Sequence, residues 1–174
     1  MEIVNGERLV LGTCYYPEHW DESLWRDDLR RMLENGIEVI RIAEFAWSKI
    51  ERYEGVFNYD FFDRFLDAAA EMGMKVIFCT PTATPPAWLT EKYPEVLNAT
   101  MDGVLYRHGG RRHYNYNSPK YQELTRIIVE KSASHYAKHP AIIGWQIDNE
   151  INCEKNEFYS ESDTIAFRKF LMEK

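Results

Sequence analysis

The chain has 174 residues, 45% of them hydrophobic and 28% charged, which is typical of one soluble globular unit with a sizeable core. Its formal net charge of −7 offers no surplus of positive charge to neutralise phosphates, so nucleic acids and anionic membranes are not expected partners. The chain does not begin with a basic and then apolar leader, and no run approaches ~20 apolar residues, so neither secretion nor membrane spanning is expected.

Strands and amphipathic helices alternate along the chain. Apolar runs predict four strands, over residues 8–16, 37–45, 74–80 and 141–148. Periodic apolar residues predict helices over 21–36, 59–73 and 118–139, and a fourth helix from residue 160 onward. Three helix starts carry N-terminal signals: Asp21, Ser118 followed by a proline, and Ser160 three residues before Asp163.

This alternation predicts parallel strands joined by right-handed crossovers, in either a doubly wound sheet or a (β/α)₈ barrel. The segment after the first strand, GTCYYPEHW, has one glycine and several aromatic residues, so it lacks the glycine-rich loop of a nucleotide-binding sheet. Long segments follow all four strands, as they do where βα loops build the active site of a barrel. We therefore predict an α/β fold with the first half, about four β/α units, of a TIM (β/α)₈ barrel.

The length does not match a whole barrel, which typically needs ~250 residues. Half a barrel leaves two open strand edges, which natural proteins avoid because such edges pair with other chains. Either the chain is part of a longer protein, or two copies close a barrel between them. We favour the first explanation and predict that residues 1–174 are a partial catalytic domain, truncated after strand four and the start of its helix.

The end of the fourth strand carries the clearest chemical signal. In GWQIDNE an apolar run ends abruptly at Asp148, Asn149 and Glu150. A carboxyl group at the mouth of a barrel can act as a general acid or base, and desolvation would raise its pKa. A carboxylate that only faces solvent is an equally good interpretation of Glu150 alone, and Asn149 alone could cap a helix or form a turn. By strand alternation Asp148 points away from Asn149, so we interpret it as structural.

Seven stretches, in order, resemble the N-terminal part of the catalytic barrel of glycoside hydrolase family 42 β-galactosidases. They are LGTCYYPEHW, VIRIAEFAWSKIE, EGVFNYDFFD, TPTATPPAWL, GRRHYN, NSPKY and GWQIDNE, which lie between residues 11 and 150. The resemblance implies a retaining β-galactosidase that hydrolyses terminal β-galactosides and needs no cofactor. It also implies that the nucleophilic glutamate follows strand seven, beyond this chain, so that these residues alone would be inactive.

Roles for four residues are implied by the same resemblance. Glu150 matches the acid/base, Asn149 the residue that binds the sugar 2-hydroxyl, and Arg111 the arginine that contacts substrate. Arg41 matches an arginine that steadies the nucleophile carboxylate; a salt bridge from Arg41 to Glu44 or Glu38 is nearly as good an interpretation. Arg112, next to Arg111, is interpreted as a surface charge, and Trp145 in the fourth strand as filling the barrel interior.

Some members of the family bind a structural zinc through a cysteine cluster, but the position after RRHY is Asn115 here, so no metal is predicted. The cysteines, Cys14, Cys79 and Cys153, are odd in number and far apart, which favours a reducing, cytoplasmic setting over a disulfide framework. A homotrimer is expected from the resemblance alone. Two alternatives remain: a non-catalytic half barrel that binds sugar or self-associates, and a glycosidase of the same clan with another sugar preference.

Overall fold

The computed structural model describes residues 9–110, 112–151, 153 and 157–174. In this part of the chain the strands are β1 (Leu11–Cys14), β2 (Ile37–Ile42), β3 (Glu51–Tyr53), β4 (Val56–Phe57), β5 (Lys75–Cys79) and β6 (Ile142–Gln146). The α-helices are α1 (Trp25–Glu34), α2 (Trp47–Ile50), α3 (Asp60–Met72), α4 (Ala87–Lys92), α5 (Pro119–Tyr136) and α6 (Glu161–Met172). None of the helices in these ranges has the length and the apolar composition that a membrane-spanning segment requires.

The central sheet has four parallel strands in the order β1, β2, β5, β6. All four predicted strands are present with shorter ends, and the helices predicted between them are α1, α3 and α5. Sequential parallel strands that alternate with helices are the arrangement of a (β/α)₈ barrel, so the predicted fold class is confirmed.

Several short strands and α-helices were not predicted, and these lie in the loops that follow β2 and β5. The antiparallel β3–β4 hairpin and α2 lie between β2 and α3, and α4 lies between β5 and α5. Helices of four to six residues are too short for apolar periodicity to be recognised. These elements build up the loops at the carboxyl edge of the sheet, where active sites of barrels form.

The two faces of the sheet differ in their surroundings. On the helix side, the Phe78 ring lies 5.7 Å from Phe62 of α3 and 4.9 Å from Tyr136 of α5. Trp145 also lies on this side, with its ring 5.3 Å from Phe78. The interpretation that Trp145 fills the barrel interior is therefore wrong, because the alternation of β6 turns it outward and places its neighbour Gln146 on the inner face.

The start of α6 is bound to the long loop after β5. Ser160 and Asp163 form the predicted capping box, in which each side chain accepts a hydrogen bond from the other residue's backbone N–H. The buried Asn115 amide donates to Asp163 Oδ2 and to Ser162 Oγ, both at 2.8 Å, and also to Ser160 Oγ. Asn115, whose presence argued against a zinc site, therefore joins the loop after β5 to the start of α6 through hydrogen bonds.

We predict that Asn115→Ala lowers the free energy of unfolding by about 1–3 kcal/mol, because it leaves buried polar groups of α6 without their partner. Urea unfolding, with an unchanged slope, measures the difference. Lys169→Ala removes only an exposed ion pair on the same helix and should stay within about 0.5 kcal/mol of wild type. Equal effects of the two changes would contradict the role given to Asn115.

Candidate active site

Arg41 lies at the carboxyl end of β2 on the inner face of the sheet. Its Nη2 is 2.6 Å from Glu44 Oε2, and its Nη1 donates to Gln146 Oε1 at 2.9 Å. The same side chain reaches Cys14 Sγ of β1, at 3.3 Å from Nε and 3.0 Å from Nη2. One guanidinium therefore links β1, β2 and β6, and the salt bridge to Glu44 that the sequence left as an alternative is formed.

Electrostatics keep Arg41 charged and keep its neighbours Cys79 and Tyr16 neutral. Burial disfavours the charged form of Arg41, but the hydrogen bond to Cys14 and the charge of Glu44 outweigh burial and raise the pKa of Arg41. Burial raises the pKa of the Cys79 thiol to about 11. Tyr16 donates to Glu44 Oε2 at 3.1 Å, and burial together with the charge of Glu44 raises the pKa of Tyr16 to about 12.

Gln146, the last residue of β6, connects Arg41 to Asn149 through hydrogen bonds. Arg41 can only donate, so the Gln146 oxygen faces Arg41 and the Gln146 NH₂ group faces the turn that follows. That NH₂ group donates to the Asp148 carbonyl at 2.9 Å and to Asn149 Oδ1 at 3.2 Å. Because Asn149 Oδ1 accepts this bond, the Asn149 NH₂ group is oriented away from Gln146.

The turn that carries the predicted acid has a strained backbone. Asp148 and Glu150 have φ angles of 53° and 43°, in the left-handed region that non-glycine residues rarely adopt. The Asp148 N–H donates to Thr80 Oγ1 at 2.8 Å, and Asp148 Oδ1 accepts from the Asn149 N–H and lies 3.3 Å from Arg112 Nη1. These bonds hold the turn, and they bear out the structural interpretation of Asp148.

Glu150 is exposed and lines an open cavity of about 540 Å³ together with residues 146–151. The side chain lies at the open carboxyl edge of the sheet, after the last residue of β6. Glu150 therefore has the predicted position in the fold without the predicted burial.

Arg112 is not a surface charge, so that interpretation is wrong. Its residue exposure is 2%, and Nη1 donates to the hydroxyl groups of Tyr114 at 2.6 Å and Tyr116 at 2.5 Å. A φ of 57° at Arg112 turns the chain so that this side chain enters the core beside Asp148. Arg111, the predicted substrate-contacting residue, lies outside the described residues.

Sequence reasoning did not single out Gln146, Thr80 or Tyr16. Gln146 had a usable signal, since a polar residue in an otherwise apolar strand points to a polar partner on that face. Thr80 and Tyr16 carry no comparable signal. In the described ranges no three histidine, cysteine, aspartate or glutamate side chains are grouped so that they could hold a metal ion.

Comparison with known proteins shows which family the chain resembles. The pattern of the family described as β-galactosidase, glycoside hydrolase family 42, matches residues 14–174. A β-galactosidase of a Thermus species is 46% identical over 163 residues, and one of Halorubrum lacusprofundi is 40% identical over 165 residues. The crystal structure of a β-galactosidase from the psychrophilic Marinomonas ef1 superposes with a TM-score of 0.91 at 43% identity and covers 95% of this chain.

The chain spans about a quarter of the length of these relatives: 25% of the Thermus protein, 24% of the Halorubrum protein and 25% of the Marinomonas structure. The match nevertheless extends over nearly the whole of the 174 residues. The chain belongs to glycoside hydrolase family 42.

Proposed function

We propose that this chain supplies the acid/base half of a retaining β-galactosidase that hydrolyses terminal β-galactosides, with residues 1–174 forming part of its catalytic barrel. One observation carries the proposal. Asn149 and Glu150 follow the last strand of the sheet at the same edge as Arg41, and Gln146 orients the Asn149 amide. The family of the chain and its similarity to β-galactosidases support the substrate class.

A retaining glycosidase needs two carboxyl groups about 5–5.5 Å apart, one to protonate the leaving oxygen and one to attack the anomeric carbon. In this proposal Glu150 gives its proton to the leaving oxygen and later takes a proton from the water that releases the sugar. Asn149 donates to the sugar 2-hydroxyl, a bond that strengthens in the transition state.

We assign the nucleophile to polypeptide outside these residues. Glu44 is bound to Arg41 and Tyr16. It therefore helps to hold the site together and is a poor candidate for the carboxylate that attacks the anomeric carbon. Arg41 positions the incoming carboxylate by its charge, and Arg111 contacts the substrate. On its own, the chain then lacks the group that forms the glycosyl-enzyme and should be inactive.

A second candidate is a non-catalytic half barrel that associates with another copy of itself. Exposed apolar side chains on α6 favour this candidate; they are Ile165, Phe167, Phe170 and Leu171. The same surface would be covered in a complete barrel. The trimeric state and the cytoplasmic location expected from the sequence belong to the proposal as well.

We predict that Glu150→Gln lowers kcat about 10²–10⁴-fold for methyl β-galactoside, whose leaving group needs a proton. The loss of kcat/KM should be much smaller for 2,4-dinitrophenyl β-galactoside, whose leaving group departs without one. The enzyme for this assay is a chimera in which residues 14–174 replace the matching quarter of the Marinomonas ef1 β-galactosidase.

Glu161→Gln is the matched control, because Glu161 is an exposed carboxylate nearby in the chain and should leave both rates unchanged. An active chimera that Glu150→Gln does not impair would overturn the assignment of the acid. A folded chimera with no activity on either substrate would overturn the proposed function.

We predict that Gln146→Glu in the same chimera lowers kcat/KM for 4-nitrophenyl β-galactoside roughly ten- to a hundredfold, as expected for the loss of a partly buried hydrogen bond near a reacting group. The new carboxylate still accepts from Arg41 but cannot donate to Asn149 Oδ1, so the Asn149 amide turns its NH₂ group toward residue 146. Gln146→Met, which adds no charge, should have a similar effect.

A 2-deoxy substrate distinguishes a lost orientation of the Asn149 amide from a general loss of structure. With 4-nitrophenyl 2-deoxy-β-galactoside the Asn149 partner is missing, so Gln146→Glu should cost little beyond the penalty already present in wild type. Gln122→Glu, on the exposed surface, controls for the change of charge. An equal loss on both substrates would show that Gln146 supports the fold and not the orientation of Asn149.

A further inference from the structure

The guanidinium group of Arg41 has five N–H donors, and the described residues surround it with five acceptor contacts. Its Nη1 meets Gln146 Oε1 at 2.9 Å and Cys79 Sγ at 3.8 Å. Its Nη2 meets Glu44 Oε2 at 2.6 Å. Nε and Nη2 together meet Cys14 Sγ, at 3.3 and 3.0 Å. Any further ligand of Arg41 must therefore displace one of these four side chains.

The four acceptors differ in how easily they can be displaced. Glu44 is only 3% exposed, and it also accepts a hydrogen bond from Tyr16. Gln146 offers an amide oxygen at a normal hydrogen-bond distance, and Cys79 is buried. Cys14 is the exposed member of the four, and the sulfur of a thiol is only a weak acceptor. Cys14 is therefore the partner that a new ligand displaces first.

Cys14 occupies the edge of the guanidinium group that suits a carboxylate. Arginine binds the two oxygens of a carboxylate through two parallel N–H bonds, and Nε with Nη2 presents such a pair. Here one sulfur atom takes the place of both oxygens. Because a charge-assisted hydrogen bond is roughly twice as strong as one between neutral groups, a carboxylate that reaches this edge displaces the sulfur.

We propose that Cys14 is a positioning residue, which holds the Nε–Nη2 edge of Arg41 in place until a carboxylate binds there. The identification of that carboxylate as the nucleophile rests on the proposed function; the binding of a carboxylate at this edge does not. A weak acceptor suits this task because it orients the guanidinium group and still yields to a charged ligand. A charged acceptor at position 14 would occupy the edge permanently.

Carboxylate binding can be measured on the 174-residue chain, which contains Arg41 and its four partners. The probe is acetate at constant ionic strength, and the readout is the Nε–H resonance of Arg41 in ¹⁵N-labelled chain, assigned by its absence from Arg41→Lys. We expect a saturable downfield shift with acetate and none with acetamide, which has the same shape and no charge. A missing shift with acetate, or an equal shift with acetamide, would overturn the proposal.

Two substitutions of nearly equal size and different charge test the displacement of the thiol. In Cys14→Asp the new carboxylate takes the Nε–Nη2 edge, so acetate should no longer shift the Arg41 resonance. In Cys14→Asn a neutral oxygen takes the same edge, so acetate should still bind. Loss of acetate binding in both variants, or in neither, would contradict the role given to Cys14.

The chimera with the Marinomonas ef1 β-galactosidase tests the consequence for catalysis. Cys14→Asp should lower kcat/KM for 4-nitrophenyl β-galactoside roughly ten- to a hundredfold, as expected for the loss of a charge-assisted hydrogen bond to the nucleophile. The acidic limb of the pH profile should also move to higher pH by about one pH unit or more, because Arg41 no longer stabilises the ionised nucleophile.

Cys14→Asn should regain most of the rate and keep the acidic limb of the wild-type chimera, since a neutral oxygen still yields to the nucleophile. Gln122→Glu adds a negative charge on the exposed surface and should change neither the rate nor the profile. Equal losses in Cys14→Asp and Cys14→Asn with an unmoved acidic limb would show that Cys14 serves only the fold.

The two experiments separate this proposal from the proposed function. Acetate binding records no turnover, so an inactive chimera would leave its result unchanged. Conversely, a chain whose Arg41 does not bind acetate would leave the expected effect of Glu150→Gln unchanged.

Discussion

The arrangement of the carboxyl edge of the sheet depends on the guanidinium group of Arg41. It contacts Cys14, Glu44 and Gln146, and so joins β1, the loop after β2 and β6 across the inner face. Glu44 is only 3% exposed, and Arg41 and Tyr16 are its polar partners there. Because Arg41 also decides which end of the Gln146 amide faces Asn149, a charge on β2 determines the orientation of a side chain beyond β6.

The turn at residues 148–150 has a strained backbone that is held by hydrogen bonds and an ion pair. Left-handed φ angles at non-glycine residues cost on the order of 1–3 kcal/mol each where they are not supported. Here Thr80, Arg112 and Gln146 bind Asp148 from three directions. A strained turn held in this way keeps the backbone of residues 148–150 in one geometry, and a fixed geometry of this kind is what electrostatic catalysis requires.

The elements that the sequence predicted correctly are those with long periodic patterns or clear caps, such as the capping box at Ser160. The errors have local physical causes. Whether Trp145 faces the helices or the interior depends on the register of β6, because alternation alone gives two equivalent faces. Arg112 is buried because of a φ of 57°, which no neighbouring residue signals. A cavity between the loops after β2 and β5 combines Thr84 with His113, which come together only through the irregular path of a long loop.

The connection between Asn115 and α6 has a consequence for the chemical robustness of the chain. It is made of an amide, two serine hydroxyl groups and one carboxylate. A cysteine cluster around zinc would release its metal to chelators and would lose ligands to oxidants, because both act on thiolates. The amide and hydroxyl groups at this junction react with neither. The junction therefore keeps its strength in metal-poor and in oxidising surroundings alike.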